Sequence, residues 1–271
     1  MGISPSTKAI TSERAFKTAA ITALALLTLF FTGIVISMVA YTDWGTLVST
    51  LMSQEILFAI KLSLFTATAS TIISIVIAIP VAYTISQIEF PGKDIVDTIL
   101  DLPIVISPIA LGAALLLFFN TPLGVGLENK IVRFVFEVPG IILAQFTVVS
   151  ALAVRLLKST FDSIDPRYER VGRTLGCSKI KAFFKVTLPL ARDGLIASSI
   201  LTWARAVGEF GATVTLAGAT KLKTETLPIA IFLSLATADV EKAISVILIL
   251  IAIAVVALII LRKISGRMYQ I

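Results

Sequence analysis

The chain has 271 residues, of which 57% are hydrophobic, and its mean hydropathy of +0.98 predicts an integral membrane protein rather than a soluble domain. Its net charge of +6 comes from basic residues at the ends of apolar runs and in one insert, so a nucleic-acid partner is not expected. The absence of histidine excludes a HExxH zinc site and a Ser-His-Asp triad, and the absence of GxxxxGK[ST] excludes an ATP-binding phosphate loop in this chain.

Six apolar runs are long enough to cross a bilayer, which predicts an all-α integral membrane protein with about six transmembrane helices. The predicted spans are residues 18–41, 55–85, 94–119, 139–157, 194–217 and 243–261. The first run is too long for the apolar part of a signal peptide, so we interpret it as an uncleaved helix. The predicted external segments are 42–54, 120–138 and 218–241, and the last of them contains a re-entrant or surface helix at 228–235.

Basic residues orient the predicted topology. Sixteen of the 23 Lys and Arg residues fall on the side that holds both termini and the insert, and five fall in the opposite loops. Because positive charge is enriched in cytoplasmic loops, both termini and the insert are predicted to be cytoplasmic.

Two of the spans carry further signals. Small residues recur at helical spacing in the second span, at Ser63, Ala67, Ser70 and Ser74. Such a face allows close helix packing, and a polar wall along a solute path is the alternative. In the third span, Pro103 and Pro108 predict bends of a helix that lines a pathway or moves beside one.

The basic insert between the fourth and fifth spans has the pattern of two short capped helices. Asp165 and Pro166 are suited to begin the first helix, and Gly176 is suited to end it in a left-handed conformation. Ser178 can cap the second helix, which Pro189 closes. The apolar positions of the two helices are Tyr168, Val171, Leu175, Ile180, Phe183 and Phe184. An ordinary basic loop is the alternative, but the pattern favours a protruding pair of short helices, joined at a glycine, that docks in a groove on another protein.

The insert resembles the coupling loop of ABC importer permeases, which has a Glu-Ala-Ala start, a glycine, nine residues and an apolar-x-Leu-Pro close. Gly176 and the nine residues 177–185 are followed here by Val186, Thr187, Leu188 and Pro189. The Glu-Ala-Ala positions instead hold Arg170, Val171 and Gly172, and Glu169 stands one residue early. By this resemblance, the residues that couple to an ATPase are Glu169, Arg170, Val171, Gly172, Gly176, Phe183, Leu188 and Pro189.

The fifth span contains two charged residues, Arg205 and Glu209, four positions apart within an apolar run. This spacing lets them neutralise each other, either as a buried pair that fixes the helix register or as charge near the solute path. The candidate residues of the translocation path are Arg205, Gly208, Glu209 and Gly211. The run GEFGATVTLAG followed by KTETLPIAIF resembles the molybdate and tungstate permeases, and sulfate permeases share a similar GEFGA-like run.

These resemblances imply the type I ABC importer fold, with one transmembrane permease domain over residues 1–271. The core permease helices are expected at 55–262 and the coupling insert at 158–192. The expected assembly is a permease homodimer in the plasma membrane, with two ATP-binding ABC subunits and an extracytoplasmic oxyanion-binding protein. The chain is then a transport subunit rather than an enzyme, with no cofactor of its own, because ATP and Mg²⁺ bind the ATPase.

The expected cargo is molybdate or tungstate. A sulfate/thiosulfate permease is the nearest alternative. A secondary transporter is a further alternative, but such carriers usually show repeated halves, and none is recognisable in this sequence.

Overall fold

The computed structural model describes the backbone of residues 7–266 and the side chains of residues 15–259. Within this range all regular elements are helical, which confirms the predicted all-α class. The elements are α1 (Thr7–Tyr41), α2 (Trp44–Met52), α3 (Gln54–Gln87), α4 (Lys93–Val105), α5 (Pro108–Phe119), α6 (Pro122–Lys130), α7 (Val138–Asp162), α8 (Arg167–Thr174), α9 (Lys179–Ala182), a π-helical turn (Phe183–Thr187), α10 (Leu188–Leu190), α11 (Arg192–Val207), α12 (Gly211–Ala217), α13 (Leu227–Ala236) and α14 (Val240–Gly266). Residues 1–6 and 267–271 of the predicted domain lie outside the described residues.

Four of the six predicted spans are single helices that are long and apolar enough to cross a membrane. They are Ala15–Tyr41, Gln54–Gln87, Val138–Asp162 and Val240–Ile259. A bent pair of helices makes a fifth candidate if it is counted as one span. The described residues therefore contain fewer continuous spans than the hydropathy pattern predicts.

The third predicted span is the bent pair, because α4 and α5 meet at an angle of 109°. The residue before a proline avoids helical backbone angles, and Ser107 is accordingly extended just before Pro108. The Ser107 hydroxyl then accepts a hydrogen bond from the Ala110 N–H at 3.3 Å and caps α5. The predicted bend is confirmed at Pro108, whereas Pro103 lies inside α4.

The fifth predicted span is also interrupted. It consists of α11 and the short α12, which are separated at residues 208–210. The prediction of one continuous helix over 194–217 is therefore wrong. Two glycines near the break, Gly208 and Gly211, lower the helical propensity at this point.

Helix α3 packs most extensively against α7, and these two helices form the centre of the fold. The small residues predicted to form a packing face are completely buried, namely Ser63, Ala67, Ser70 and Ser74. Close packing is thus the correct interpretation of this face. Near the C-terminal ends of the two helices, Ala82 and Ile85 of α3 pack in one apolar cluster with Leu157 and Phe161 of α7.

Helix α4 is fastened to α7 by an ion-pair cluster. Arg155 of α7 has its Nη1 atom 2.7 Å from Asp97 Oδ1, and its guanidinium also pairs with Asp101. Arg155 Nη2 donates a further hydrogen bond to the Asp97 carbonyl at 2.8 Å. In the bent pair, α4 is therefore held to α7 by this cluster, while α5 packs against α12 and α7.

The segment after α12 returns into the helical core. The helix predicted over 228–235 is present as α13, but Leu227, Ile229 and Ala230 are buried, so it is not a surface helix. The Leu227 N–H donates to the Ser63 hydroxyl at 2.8 Å, which fixes α13 to α3. Glu225, just before α13, is fully buried, and this burial raises the pKa of its carboxyl group.

Helix α1 contributes almost nothing to this core. No residue in its most apolar window is buried, and its only substantial neighbour among the described helices is α14. A surface of this length and apolarity suits contact with lipid or with another subunit.

Candidate functional site

The first helix of the insert is held at both ends by local hydrogen bonds. Asp165 Oδ1 accepts from the Arg167 N–H at 2.8 Å, but regular helix begins at Arg167, so Pro166 rather than Asp165 occupies the capping position. Gly176 has φ of +90°, as predicted for a left-handed end. The Gly176 and Cys177 N–H groups return to the carbonyls of Arg173 and Gly172, which is the Schellman arrangement.

The second helix of the insert is less regular than predicted. Ser178 caps it as expected, because its hydroxyl accepts from the Lys181 N–H at 3.3 Å. After α9 the chain widens into the π-helical turn Phe183–Thr187, in which one extra residue is accommodated. Pro189 does not close the helix. It lies in the first turn of α10, where its missing N–H is harmless, and α10 ends at Leu190.

The two insert helices present an exposed apolar face. Its residues are Tyr168, Val171, Leu175, Ile180 and Phe184, which are between 57% and 80% exposed. We call these five residues the apolar face of the insert. Scattered apolar residues are common on surfaces, but five large exposed ones on two short capped helices are typical of a binding surface. Two of them, Ile180 and Phe184, also line an apolar pocket beside the end of α3.

Basic groups lie on the same part of the insert. An open depression of about 500 Å³ is lined by Arg170, Arg173, Thr174, Cys177, Ser178 and Lys179. Exposed apolar residues together with basic groups on the insert favour a protein partner that offers both apolar and acidic groups.

Glu169 points away from this face. Its Oε2 atom accepts hydrogen bonds from Tyr83 Oη at 2.8 Å and from Thr187 Oγ1 at 3.2 Å. Gly172 is also turned inward, because a Cβ atom built there would lie 3.2 Å from Val186 Cγ2. The predicted coupling residues thus divide into an outward set that includes Arg170 and Val171 and an inward set that includes Glu169 and Gly172.

The other predicted coupling residues follow the same division. Gly176 and Pro189 are exposed, whereas Phe183 and Leu188 are half-buried. The Phe183 ring packs against Tyr83 with the ring centroids 4.8 Å apart. Sequence reasoning missed Tyr83, since a single tyrosine in an apolar span carries no local signal of a partner 86 positions away.

The translocation-path candidates meet at the break between α11 and α12. Arg205 Nη1 lies 2.6 Å from Glu209 Oε2, so the predicted ion pair is present. The two side chains differ in environment, because Arg205 is 39% exposed and Glu209 is 1% exposed. Glu209 Oε1 also accepts from the Ala212 N–H at 3.0 Å and so satisfies a free donor at the start of α12.

The breaks in the third and fifth spans lie against each other. A Cβ atom at Gly211 would be 3.0 Å from the Ile109 backbone nitrogen, and one at Gly112 would be 2.7 Å from the Ala212 carbonyl oxygen. These glycines therefore bring the first turns of α5 and α12 into backbone contact. Gly208 has free space around it, since its nearest neighbouring atom, the Ala204 carbonyl oxygen, is 3.9 Å from an added Cβ.

A glutamine that the sequence analysis did not select supports the break. Gln145 of α7 is buried, and its Nε2 atom donates to the Ala206 carbonyl at 3.1 Å. Its Oε1 atom accepts from the Ser70 hydroxyl of α3 at 3.3 Å. The signal that could have identified it is a lone amide side chain in an apolar span, because such groups need buried partners.

Comparison with known protein families shows which family the chain belongs to. The family described as binding-protein-dependent transport system inner membrane component matches residues 74–270, which include the insert and both breaks. The chain is a member of this family. As a binding-protein-dependent transport component with several apolar helices, it is a multi-pass plasma-membrane protein and a transport subunit.

Several transport system permease proteins are similar in sequence. Over 213 residues the chain is 34% identical to the probable transport system permease protein NifC of Clostridium pasteurianum, covering 78% of this chain and 74% of that protein. It is 34% identical over 175 residues to the molybdate/tungstate transport system permease protein WtpB of Pyrococcus abyssi, covering 65% and 66% respectively. It is 35% identical over 175 residues to the molybdenum transport system permease protein ModB of Haemophilus influenzae, covering 64% and 76%.

A solved ABC transporter has a similar fold. The structure of a bacterial alginate ABC transporter in complex with an alginate pentasaccharide-bound periplasmic protein superposes with a TM-score of 0.76. The match covers 97% of this permease and 98% of that chain at 17% sequence identity, which establishes likeness of fold alone. The permease therefore has the predicted type I ABC importer fold.

Proposed function

We propose that this chain is the membrane-spanning subunit of an ATP-driven importer of molybdate and tungstate. The observation that carries the proposal is the exposed apolar face of the insert, in a permease whose named relatives include molybdate/tungstate permeases. The chain holds no phosphate loop, so ATP and Mg²⁺ bind a separate ATPase and this subunit needs no cofactor of its own.

The proposed assembly contains two copies of the permease, two ATP-binding subunits and an extracytoplasmic oxyanion-binding protein. Both termini and the insert face the cytoplasm, since 16 of the 23 basic residues lie on that side of the predicted topology. ATP closes the ATPase pair and draws the two inserts together, and the helices reopen the pathway on the other face. This coupling requires the ATPase to contact the inserts differently in its two states.

The break near Arg205 and Glu209 is the proposed wall of the translocation path. The two charges cancel each other at 2.6 Å, so the pair offers no net positive charge to retain a dianion. A pathway that must release its cargo cannot bind it tightly. Discrimination among tetrahedral oxyanions therefore lies chiefly in the external binding protein.

Uptake in reconstituted vesicles tests this function. The full assembly should accumulate tungstate and molybdate only when ATP and the binding protein are both present, whereas the isolated permease should bind either anion weakly. Counting the metal inside the vesicles, with each anion in competition, measures the preference. A parallel assembly with an ATPase that cannot hydrolyse ATP is the control. Sulfate uptake that excess tungstate fails to inhibit would show that the cargo is wrong while leaving the importer architecture intact.

The turn at Gly176 gives a second test, directed at ATPase docking. Gly176→Val places a β-branched residue at φ of +90°, which costs about 1–2 kcal/mol or more. No atom lies within 4 Å of the added Cβ, so the effect comes from backbone strain rather than collision. We expect less ATPase to copurify and transport-linked ATP hydrolysis to fall, with membrane insertion unchanged.

Gly176→Asn is the matched control, because asparagine adopts the left-handed conformation more readily than valine. It should retain most of the ATPase binding that the valine variant loses. Normal copurification and normal hydrolysis in Gly176→Val would contradict the assignment of coupling to the insert.

A further inference from the structure

The inward-facing contacts of the insert connect it to the transmembrane core. Glu169 Oε2 accepts hydrogen bonds from both Tyr83 Oη, at 2.8 Å, and Thr187 Oγ1, at 3.2 Å. Tyr83 belongs to α3, Glu169 to α8 and Thr187 to the π-helical turn. One carboxylate oxygen therefore joins three separate elements.

The hydrogen bond from Tyr83 crosses a cleft. A cavity of about 180 Å³ separates α8 from the end of α3, and its lining includes Tyr83, Gln87, Glu169 and Arg173. Helix α8 packs on α9 and the π-helical turn rather than extensively on α3. The contact between Tyr83 and Glu169 is thus a direct bridge from the first insert helix to α3, where apolar packing between them is sparse.

The Tyr83 end of this bridge is firmly held. The Tyr83 ring packs edge-on against Phe161 of α7, with the centroids 5.8 Å apart, and against Phe183 at 4.8 Å. Ala82, Leu157 and Phe161 are fully buried in the same cluster. Because the ring is fixed to the α3–α7 core, a displacement of Glu169 strains the hydrogen bond or moves the core with it.

We propose that Tyr83 and Glu169 form a mechanical link that transmits movement of the insert to α3, and that Tyr83 is a positioning residue for coupling. The inference rests on the proposed function, and it separates two tasks within the insert. The outward apolar face binds the ATPase, whereas the inward carboxylate carries its movement into the membrane. A hydrogen bond to a charged acceptor suits this task, since it is short, directional and stronger than a neutral one.

The test is the number of tungstate ions accumulated per ATP hydrolysed by the full assembly in vesicles. Tyr83→Phe removes the donor while leaving the ring packing and the charge of Glu169 in place. We expect this ratio to fall roughly tenfold, as the loss of a hydrogen bond to a charged group predicts, with ATPase copurification at the wild-type level. Thr187→Val removes the second, longer hydrogen bond and should reduce the ratio less.

Tyr41→Phe is the matched control, because the Tyr41 side chain is 82% exposed in a different part of the fold. It should leave both the ratio and the copurification unchanged. A purely structural role of Tyr83 would lower the melting temperature without changing the ratio. Melting temperatures of all variants therefore accompany the uptake measurements.

A wild-type ratio in Tyr83→Phe would overturn the link. Loss of ATPase copurification in Tyr83→Phe would overturn it as well, because the contact would then serve docking. If Tyr83→Phe does not assemble, Glu169→Leu decides, because it removes the acceptor of the same hydrogen bond, and a wild-type ratio in that variant overturns the link. If the wild-type assembly shows no ATP-driven tungstate uptake, the proposed function is wrong. If the wild type takes up tungstate and the variants keep its ratio of tungstate to ATP, only the link between Tyr83 and Glu169 is wrong.

Discussion

Arg205→Ala should destabilise the permease by about 3–5 kcal/mol. The substitution leaves the Glu209 carboxylate, which is only 1% exposed, without its cation 2.6 Å away. Glu209→Ala should cost less, because the remaining Arg205 is 39% exposed and its long side chain can reach a more polar environment. It also removes the acceptor for the Ala212 N–H, at a cost of about 1–3 kcal/mol.

The double variant Arg205→Ala with Glu209→Ala distinguishes pairing from independent roles. It removes both charges, so it should be more stable than Arg205→Ala alone. Melting temperatures in detergent for the wild type, both single variants and the double variant complete the cycle. Losses that simply add would contradict the mutual neutralisation of the two residues.

Gly112→Ala should destabilise the contact between the two broken spans. The new Cβ would lie 2.7 Å from the Ala212 carbonyl oxygen and 2.8 Å from Ala212 Cα, and neither backbone atom can rotate away. Overpacking of this kind costs about 1–3 kcal/mol, and here it would push α5 away from α12 at the point where the two breaks meet. We expect both a lower melting temperature and reduced uptake in the assembled importer.

Gly126→Ala is the control for this change. Gly126 lies in the nearby helix α6, and no atom is within 4 Å of an added Cβ. Alanine there should be neutral or stabilising by up to about 1 kcal/mol, because it favours helix. Equal melting temperatures in the Gly112 and Gly126 variants would show that the close contact between α5 and α12 does not matter for stability.

The features that the sequence predicted correctly are those set by local chemistry. The left-handed Gly176, the Ser178 cap and the Arg205–Glu209 pair each depend on residues within a few positions of one another. Such contacts depend on the fold only weakly, so spacing and residue type are sufficient to predict them.

The breaks in the third and fifth spans were harder to predict. Hydropathy indicates which residues prefer an apolar environment, but it does not indicate where a helix within that environment is interrupted or bent. Pro108 was interpreted as a bend, but nothing in the sequence sets its angle of 109°. Gly208 and Gly211 were interpreted as residues of the translocation path, although they also flank the interruption. The helix ends at Val207 because Glu209 and Gln145 supply the hydrogen bonds that the broken backbone needs, and Gln145 is distant in sequence.

The orientation of Glu169 could not be predicted for a similar reason. Motif spacing places it at the start of the coupling loop, but its side-chain direction is decided by Tyr83 and Thr187. One of these partners lies in another span, so only the tertiary structure brings it into reach.

The ion pair at the break also bears on how the membrane potential acts on this permease. Moving one elementary charge through the full membrane field involves about 2.3 kcal/mol per 100 mV. Arg205 and Glu209 are joined at 2.6 Å across the end of α11, so a movement that keeps the pair intact carries both charges together. The opposite contributions to the electrical work nearly cancel. A displacement of the pair within the membrane field therefore carries almost no electrical penalty at any resting voltage.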